Sequence, residues 1–265
     1  VEGDPANPGT FIVRTLNDIV ANEKAVLFAA GGLSGLFGDA SITANNDLSR
    51  IQIGNADLRS VGAINLSARG QGNVVVLVDA EAYGAGTLIT GTAEGVLRPT
   101  NEIDIGTGAH IVAKGDLLIA AGTDTNFARD PYTMEVRHDS FAGSAIPLDD
   151  VDALAYLIQH NTINIRSGAV LETARSAYLH TERLGLADML AKAKAVNWVS
   201  SLTDALNGAA AEYQYKGTSS AESHAIVQMD GTVRTGIERH QSLELGYFDA
   251  DSGTFGGWNP EAGTI

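Results

Sequence analysis

Apolar and polar residues alternate along much of the chain in short runs that end at glycine or another small or polar residue. The clearest run, residues 101–113, aligns without a gap with residues 161–173, and a third copy begins near residue 49. The positions that coincide in the two best copies are Asn101/Asn161, Ile103/Ile163, Ile105/Ile165, Gly108/Gly168 and Ala109/Ala169. Alternation with period two predicts short, half-buried strands, and the small residues predict tight corners between them.

Most of the chain lacks the long helices of a βαβ fold and the Asn-Gly signals of regular hairpins. Short strands, glycine corners and a repeat of about 20 residues favour a parallel β-solenoid. The offset between the two best copies would then span three turns. Successive turns stack at ~4.8 Å, so that Ile lies on Ile inside and Asn residues form ladders at corners. We therefore expect an all-β fold with helical insertions.

Two helical insertions are predicted. Residues 149–160 and residues 184–207 carry apolar residues at the i, i+3, i+4 and i+7 spacing of an amphipathic helix. Asp149 or Asp150 is placed to cap the first helix, and Asn207-Gly208 is placed to end the second.

Residues 123–144, which include Asp130-Pro131, are predicted to be a loop insertion. Because no linker divides the chain, we expect one domain, residues 1–265. The chain does not begin with Met, so we interpret it as a solenoid segment of a longer, processed or partial protein.

Charge and composition narrow the classes of partner. The 17 Lys and Arg residues are outnumbered by 32 Asp and Glu, giving a net charge of −15, which disfavours nucleic acid and anionic membrane surfaces. The absence of Cys excludes a disulfide scaffold and a Cys-ligated metal site. The apolar runs are far shorter than the ~20 residues of a membrane span, so we expect no membrane insertion. The expected partners are neighbouring protein subunits, or glycans and proteins of a host or cell surface.

The repeated pattern is Ile-x-Ile-x-x-Gly-Ala followed by a polar turn and a second alternating run that begins Gly115-Asp116-Leu117. It resembles the haemagglutinin-type repeats of filamentous-haemagglutinin-like adhesins over residues 37–180, and again less clearly over residues 223–246. The resemblance implies a right-handed parallel β-helix exported to the surface of a Gram-negative bacterium, where it serves as an adhesin, biofilm matrix or fibre. The helical excursion and the irregular repeat lengths depart from a plain, uninterrupted shaft.

Calcium is the ion that the sequence favours most. Asp249 and Asp251 have the Asp-x-Asp-x-Gly spacing that brings hard oxygen ligands around a tight turn. Pro260 stands where an EF-hand loop needs its bidentate Glu, so the segment is not an EF-hand. The alternative interpretation is an acidic turn between strands, and no other cofactor is expected.

The alternative function is a polysaccharide-cleaving or tailspike-like β-helix enzyme, which needs carboxylates converging on one face of adjacent turns. The candidate groups are Asp149, Asp150 and Asp152, or Glu135 with Arg137, His138 and Asp139. Helix capping explains the first group, and the net negative charge disfavours a uronic-acid substrate. We therefore expect no enzyme.

Other motifs are weaker. The run at residues 26–35 matches the glycine places of a dinucleotide loop, but alternating residues follow it where a helix is required. The six His residues form none of the paired metal motifs. Aromatic residues are frequent in the last quarter of the chain, where they pack the final coil or form a contact surface. These are Tyr213, Tyr215, Tyr247, Phe248, Phe255 and Trp258.

The sequence thus predicts a structural and adhesive segment of a large secreted protein of the bacterial cell surface or of an extracellular fibre. It would act as a stiff shaft and an interaction surface.

Overall fold

The computed structural model describes residues 9–124, 126, 128–182, 186–197, 213–215, 217–236, 243–249 and 254–256. These ranges are all-β and contain no helix. The strands are β1 (Phe11–Ala30), β2 (Leu33–Phe37), β3 (Ala40–Ile53), β4 (Asp57–Ser60), β5 (Ile64–Ile105), β6 (His110–Ala113), β7 (Leu117–Ala121), β8 (Pro131–Ile165), β9 (Val170–Thr173), β10 (Ala177–Glu182), β11 (Leu186–Asn197), β12 (Tyr213–Tyr215), β13 (Gly217–Met229), β14 (Thr232–Thr235), β15 (Leu243–Asp249) and β16 (Thr254–Gly256).

The strands form two sheets whose pairings are almost all parallel. The larger sheet follows the order β12-β11-β8-β5-β7-β10-β15-β16, with β1, β2 and β3 also paired to β5 and β13 paired to β8. The smaller sheet follows the order β14-β9-β6-β4. Among the described strands, antiparallel pairing is confined to β12 on β11 and β16 on β15, at the two ends of the larger sheet.

A residue and its partner on the next strand are separated by a long stretch of chain, and we call this stretch one circuit. Ile51 pairs with Ile103 in one of the shorter circuits, whereas Ala177 pairs with Leu243 in a longer one. The short repeat predicted from the sequence is therefore wrong, because Asn101 pairs directly with Asn161. The offset between the two sequence copies is the distance to the next strand, and it does not span three turns.

The sequence repeat itself marks true structural neighbours. Ile103 pairs with Ile163, and Ile105 pairs with Ile165, and all four side chains are fully buried. Gly108 and Gly168 occupy the same corner in successive circuits with φ of 79° and 83°, a conformation that glycine adopts without the strain other residues meet. The aligned residues thus stack directly on one another, whereas the sequence prediction placed them three turns apart.

Two hydrophobic cores lie side by side in each circuit. One core, which we call the body, is lined by residues from both ends of β5 and from β6, β7, β9 and β10, including Ile64 and Ile111. The other, which we call the arm, is lined by the middle of β5 and by most of β8, including Val76 and Val136. Each long strand therefore contributes to both cores.

In the arm the chain runs out to a tip and back. We call the residues before the tip in each circuit, such as Val136, the outgoing wall and those after it, such as Gly95, the returning wall. A Cβ on Gly95 of the returning wall would lie 2.9 Å from Val136 and 3.0 Å from Met134 of the outgoing wall, so the two walls pack face to face. The chain reverses at the arm tip, which consists of residues 31–32, 84–86 and 143–146 in successive circuits. A Cβ on Gly84 would lie 2.4 Å from the Gly31 carbonyl oxygen, so only glycine fits there.

The helix predicted at residues 149–160 is wrong, because these residues lie within β8. Burial there has period two: Val151, Ala153 and Ala155 face the core, whereas Leu154 of the proposed helical stripe lies only partly buried on the opposite side. Apolar residues occupy both faces of this strand, so the segment matches the period of a helix as well as the period of two of a strand. Pairing of β8 with β5 on one side and β13 on the other selects the strand.

The helical excursion predicted at residues 184–207 is also wrong over its described part, since Leu186–Asn197 forms β11 parallel to β8. Residues 198–207 lie outside the described residues. The predicted loop insertion at residues 123–144 is shorter than expected, because strand β8 begins at Pro131.

A buried polar seam lies between the two cores. The Asn101 Nδ2 donates to Asn161 Oδ1 over 2.8 Å, and Asn161 in turn donates to the Glu182 carbonyl oxygen. Nearby, the Arg69 guanidinium and the Gly70 N–H each donate over 2.8 Å to the Asp130 carboxylate. The predicted Asn ladder therefore exists, but it is buried between the body and the arm.

Burial sets the acid–base behaviour of the seam residue Asp130 and of the buried residue His180. It raises the pKa of Asp130 to about 6 against the opposing hydrogen bonds from Gly70 and Arg69. It lowers the pKa of His180, which is 1 % exposed, to about 4. Burial therefore favours the uncharged form of both groups.

The one-circuit register is testable by crosslinking, because the natural chain has no Cys. The Thr133 Oγ1 and Asn73 Oδ1 atoms lie 3.0 Å apart on paired strands. Asn73→Cys with Thr133→Cys should form a disulfide on mild oxidation, since neighbouring strands at ~4.8 Å suit disulfide geometry. Asn73→Cys with Thr92→Cys, close to the spacing of the short repeat predicted from the sequence, should stay reduced. Peptide mapping by mass spectrometry reads both results, and crosslinking of the second pair alone would contradict the register.

The buried groups Asp130 and His180 predict opposite pH dependences for two substitutions. Since His180 has a lowered folded-state pKa, its contribution is present above its unfolded pKa of 6.5 and is lost as the pH falls towards about 4, a change of about 3 kcal/mol. In His180→Gln this loss should disappear. Asp130 has a raised pKa, so its stabilisation is lost as the pH rises from 3.8 to about 6, and Asp130→Asn should remove that opposite slope. Urea unfolding at pH 4 to 7 measures both, and unchanged slopes would contradict the assignment.

Candidate interaction surface

An aromatic column flanks the arm tip on the outgoing wall. It contains Phe28 of β1, Tyr83 of β5 and Phe141 of β8, one residue from each of three successive circuits. The ring centroids lie 5.6 Å and 5.8 Å apart, with tilted planes. Phe28 is 67 % exposed. The column therefore presents aromatic surface to solvent at a spacing that favours contact between rings.

The returning wall carries an apolar groove beside the same tip. Leu33, Leu88, Ile146 and Leu148, with Ser34, Gly35, Gly86 and Thr87, line a groove of about 370 Å³. Leu33 is 87 % exposed, and Ile146 is 66 % exposed. Both walls of the tip thus carry apolar side chains in contact with water, an arrangement typical of interaction surfaces.

An acidic cleft adjoins the aromatic column. Asp79, Asp139, Ser140, Phe141, Lys194 and Val196 line a space of about 340 Å³. Asp79, Asp139 and Lys194 occupy one register column on three successive circuits. Next to this cleft, the Tyr83 hydroxyl donates to Glu81 over 3.1 Å, which raises the pKa of Tyr83. The tip therefore combines apolar contact area with hydrogen-bonding groups at its edge, as protein and glycan contact surfaces do.

The predicted calcium residues fall at the C-terminal end of the fold. Asp249 is the last residue of β15 and pairs with Thr254 of β16. Asp251 lies outside the described residues. Among the described residues no group of three or more His, Asp or Glu side chains is arranged to hold a metal ion.

The first carboxylate group predicted for catalysis does not cap a helix. Asp149, Asp150 and Asp152 lie in β8 on the returning wall, where Asp149 is half-buried and Asp150 is exposed. Burial raises the pKa of Asp149 to about 6. Because neighbouring residues of a strand point to opposite sides, the three carboxylates do not share one face.

The second predicted group is divided in the same way. Glu135 and Arg137 form an ion pair of 2.7 Å on the outer side of the outgoing wall, the side that also carries Asp139. His138 is buried on the other side of the strand, close to Gly91. The structure therefore separates His138 from the three charged residues.

The remaining sequence motifs fall in structural positions. Residues 26–35 run from β1 through the tip into β2, so no helix follows the glycines as a dinucleotide site requires. His110 contacts Glu172 over 3.3 Å and Asp57 over 3.6 Å. Of the aromatic residues in the last quarter, five lie in strands β12, β15 and β16, and Trp258 lies outside the described residues.

The residues of the aromatic column were not predicted from the sequence. Phe28, Tyr83 and Phe141 are far apart along the chain, and only the parallel register of β1, β5 and β8 brings them together. Alignment of the arm residues at an offset of one circuit, as for the body copies, would have shown that these three residues lie close together.

No family model matches the chain, and neither the curated proteins nor the solved structures searched include a significant match. The described ranges contain no helical segment with the length and hydropathy of a membrane span. The case for a function therefore depends on the fold and on the surface of the arm tip.

Proposed function

We propose that this chain is a structural and adhesive segment of a large secreted protein of the bacterial cell surface or of an extracellular fibre. The observation that supports this most is the parallel register that continues through successive circuits in both the body and the arm. Such a stack has the hydrogen-bonding pattern of a shaft, because each circuit pairs with the next along one axis.

In this proposal the chain coils as a right-handed parallel β-helix, a β-solenoid in which each turn is one long circuit through body and arm. The hand follows from the resemblance to filamentous-haemagglutinin-like repeats. The stacked corners at Gly108 and Gly168 support the coil, because successive circuits bend at the same place. Stiffness then comes from backbone hydrogen bonds that run along the coil axis.

The arm tip is the interaction surface of the proposed shaft. Its partners are neighbouring protein subunits, or glycans and proteins of a host or cell surface. Aromatic side chains are enriched where proteins meet, and they also offer flat apolar faces to sugars. The chain acts without nucleic acid, membrane insertion or a required cofactor, and calcium at Asp249 and Asp251 remains a secondary proposal.

The shaft proposal is tested first by the intact mass of the polypeptide isolated from its source. We expect a chain far longer than 27.6 kDa, recovered from the outer surface or the medium. A mature polypeptide of this mass, found inside the cell, would contradict the proposal.

The adhesive role is tested by placing charge at the tip. Ile146→Asp with Leu148→Asp should abolish binding of the labelled chain to bacterial cells and to immobilised copies of itself, because the groove would have to bury two carboxylates. The fold should change in stability by less than about 1 kcal/mol, since both residues are exposed.

The matched control places two Asp residues at the exposed body corners, Asn55→Asp with Ser167→Asp, and it should bind like the natural chain. Denaturant titration checks that all three proteins fold. Equal binding by the tip variant and the control would exclude the tip as the contact surface.

The second candidate is the polysaccharide-cleaving or tailspike-like enzyme. The acidic cleft favours it, because Asp79 and Asp139 lie on adjacent circuits and face the same space as Lys194. Screening acidic and neutral polysaccharides with the natural chain and Asp139→Asn decides this: cleavage that is lost in the variant would establish the enzyme.

A further inference from the structure

Two histidines on neighbouring strands lie in register on the outside of the molecule. His160 of β8 pairs with His224 of β13, and both residues are exposed. Their rings are stacked, with centroids 4.8 Å apart and planes inclined by 8°. The sequence shows no His-x-x-x-His spacing, because the pair is formed by residues one circuit apart.

We propose that His160 and His224 form a two-histidine site for a divalent transition-metal ion such as Zn²⁺ or Ni²⁺. Imidazole nitrogen is a preferred ligand of these ions. The ring faces oppose each other in the stacked pair, so rotation of both side chains is needed to direct one nitrogen of each towards a common ion between the strands. No third His, Asp or Glu completes a cluster among the described residues, and water fills the other positions.

The net charge of the chain favours a cation at this pair. It is −15, which attracts cations.

The remaining described histidines are placed differently. His110 contacts two carboxylates, whereas His138 and His180 are buried. Only the 160/224 pair therefore offers two exposed imidazoles together in the described part of the chain.

A bound ion would link the last circuits. Within the described residues β13 pairs with β8 alone and has no strand on its other edge. An ion held by both strands would stabilise this pairing, because a ligand that binds only the folded form raises its stability. The site would make the stability of this end of the stack dependent on metal, whether or not the protein is an adhesin.

The test is calorimetric titration of the EDTA-treated 265-residue chain with NiCl₂ and with ZnCl₂ at pH 7.5. We expect one ion per chain and a higher melting temperature with metal. His160→Gln and His224→Gln should each weaken binding by about tenfold or more, because one of two ligands is lost. Both should also remove the metal-dependent rise in melting temperature.

His110→Gln is the control and should bind like the natural chain, because His110 lies in β6 of the smaller sheet. Far-ultraviolet circular dichroism establishes that each variant folds. Absence of binding by the natural chain, or undiminished binding by His160→Gln and His224→Gln, would overturn the proposal. Binding should also weaken in acidic buffer, because protons compete with the metal ion for imidazole nitrogen.

Discussion

The structure depends on the parallel backbone ladder between one circuit and the next. Backbone N–H and C=O groups must be paired when they are buried, and here most find their partners about one circuit away. The ladder fixes which side chains stack, and a shift by one residue would turn every core residue outwards. Core, corners, seam and tip all repeat because the ladder repeats.

In-register stacking also explains why a polar seam is tolerated between two apolar cores. Asn101 lies between the arm residue Leu97 and the body residue Ile103 along one strand, and its partner Asn161 occupies the same place one circuit later. The register lets the Asn101 amide donate to Asn161 and Asn161 donate onward to the Glu182 carbonyl oxygen, whereas a buried amide facing an aliphatic residue would lose such a hydrogen bond. The seam therefore separates the body from the arm and disfavours pairing in other registers.

The all-β class, the parallel stacking and the repeat partners could be predicted from the sequence. The two body copies keep the same residue at aligned positions such as Ile103/Ile163 and Gly108/Gly168. The circuit length could not be predicted. The sequence of the body resembles a coil with a short repeat, and the arm that lies between the body copies shows no pattern that repeats along the chain. The helices were wrong where Ala and Leu occupy both faces of a strand, as at Ala153 and Leu154. There, pairing with distant strands outweighs local propensity. The aromatic column beside the tip could not be predicted, because its three residues come together only through the register of β1, β5 and β8.

The arm gives the ladder a functional consequence that the body alone lacks. The three successive tips in the described part of the chain bring Phe28, Tyr83 and Phe141 together, so a partner meets a column of side chains instead of one residue. Weak contacts that repeat along a rigid axis add up through effective concentration, without any single contact being strong. The net charge of −15 meanwhile opposes unspecific association of copies. In the adhesive role proposed above, such a stack would bind through many equivalent contacts, and the strength of binding would grow with the number of circuits that reach the partner.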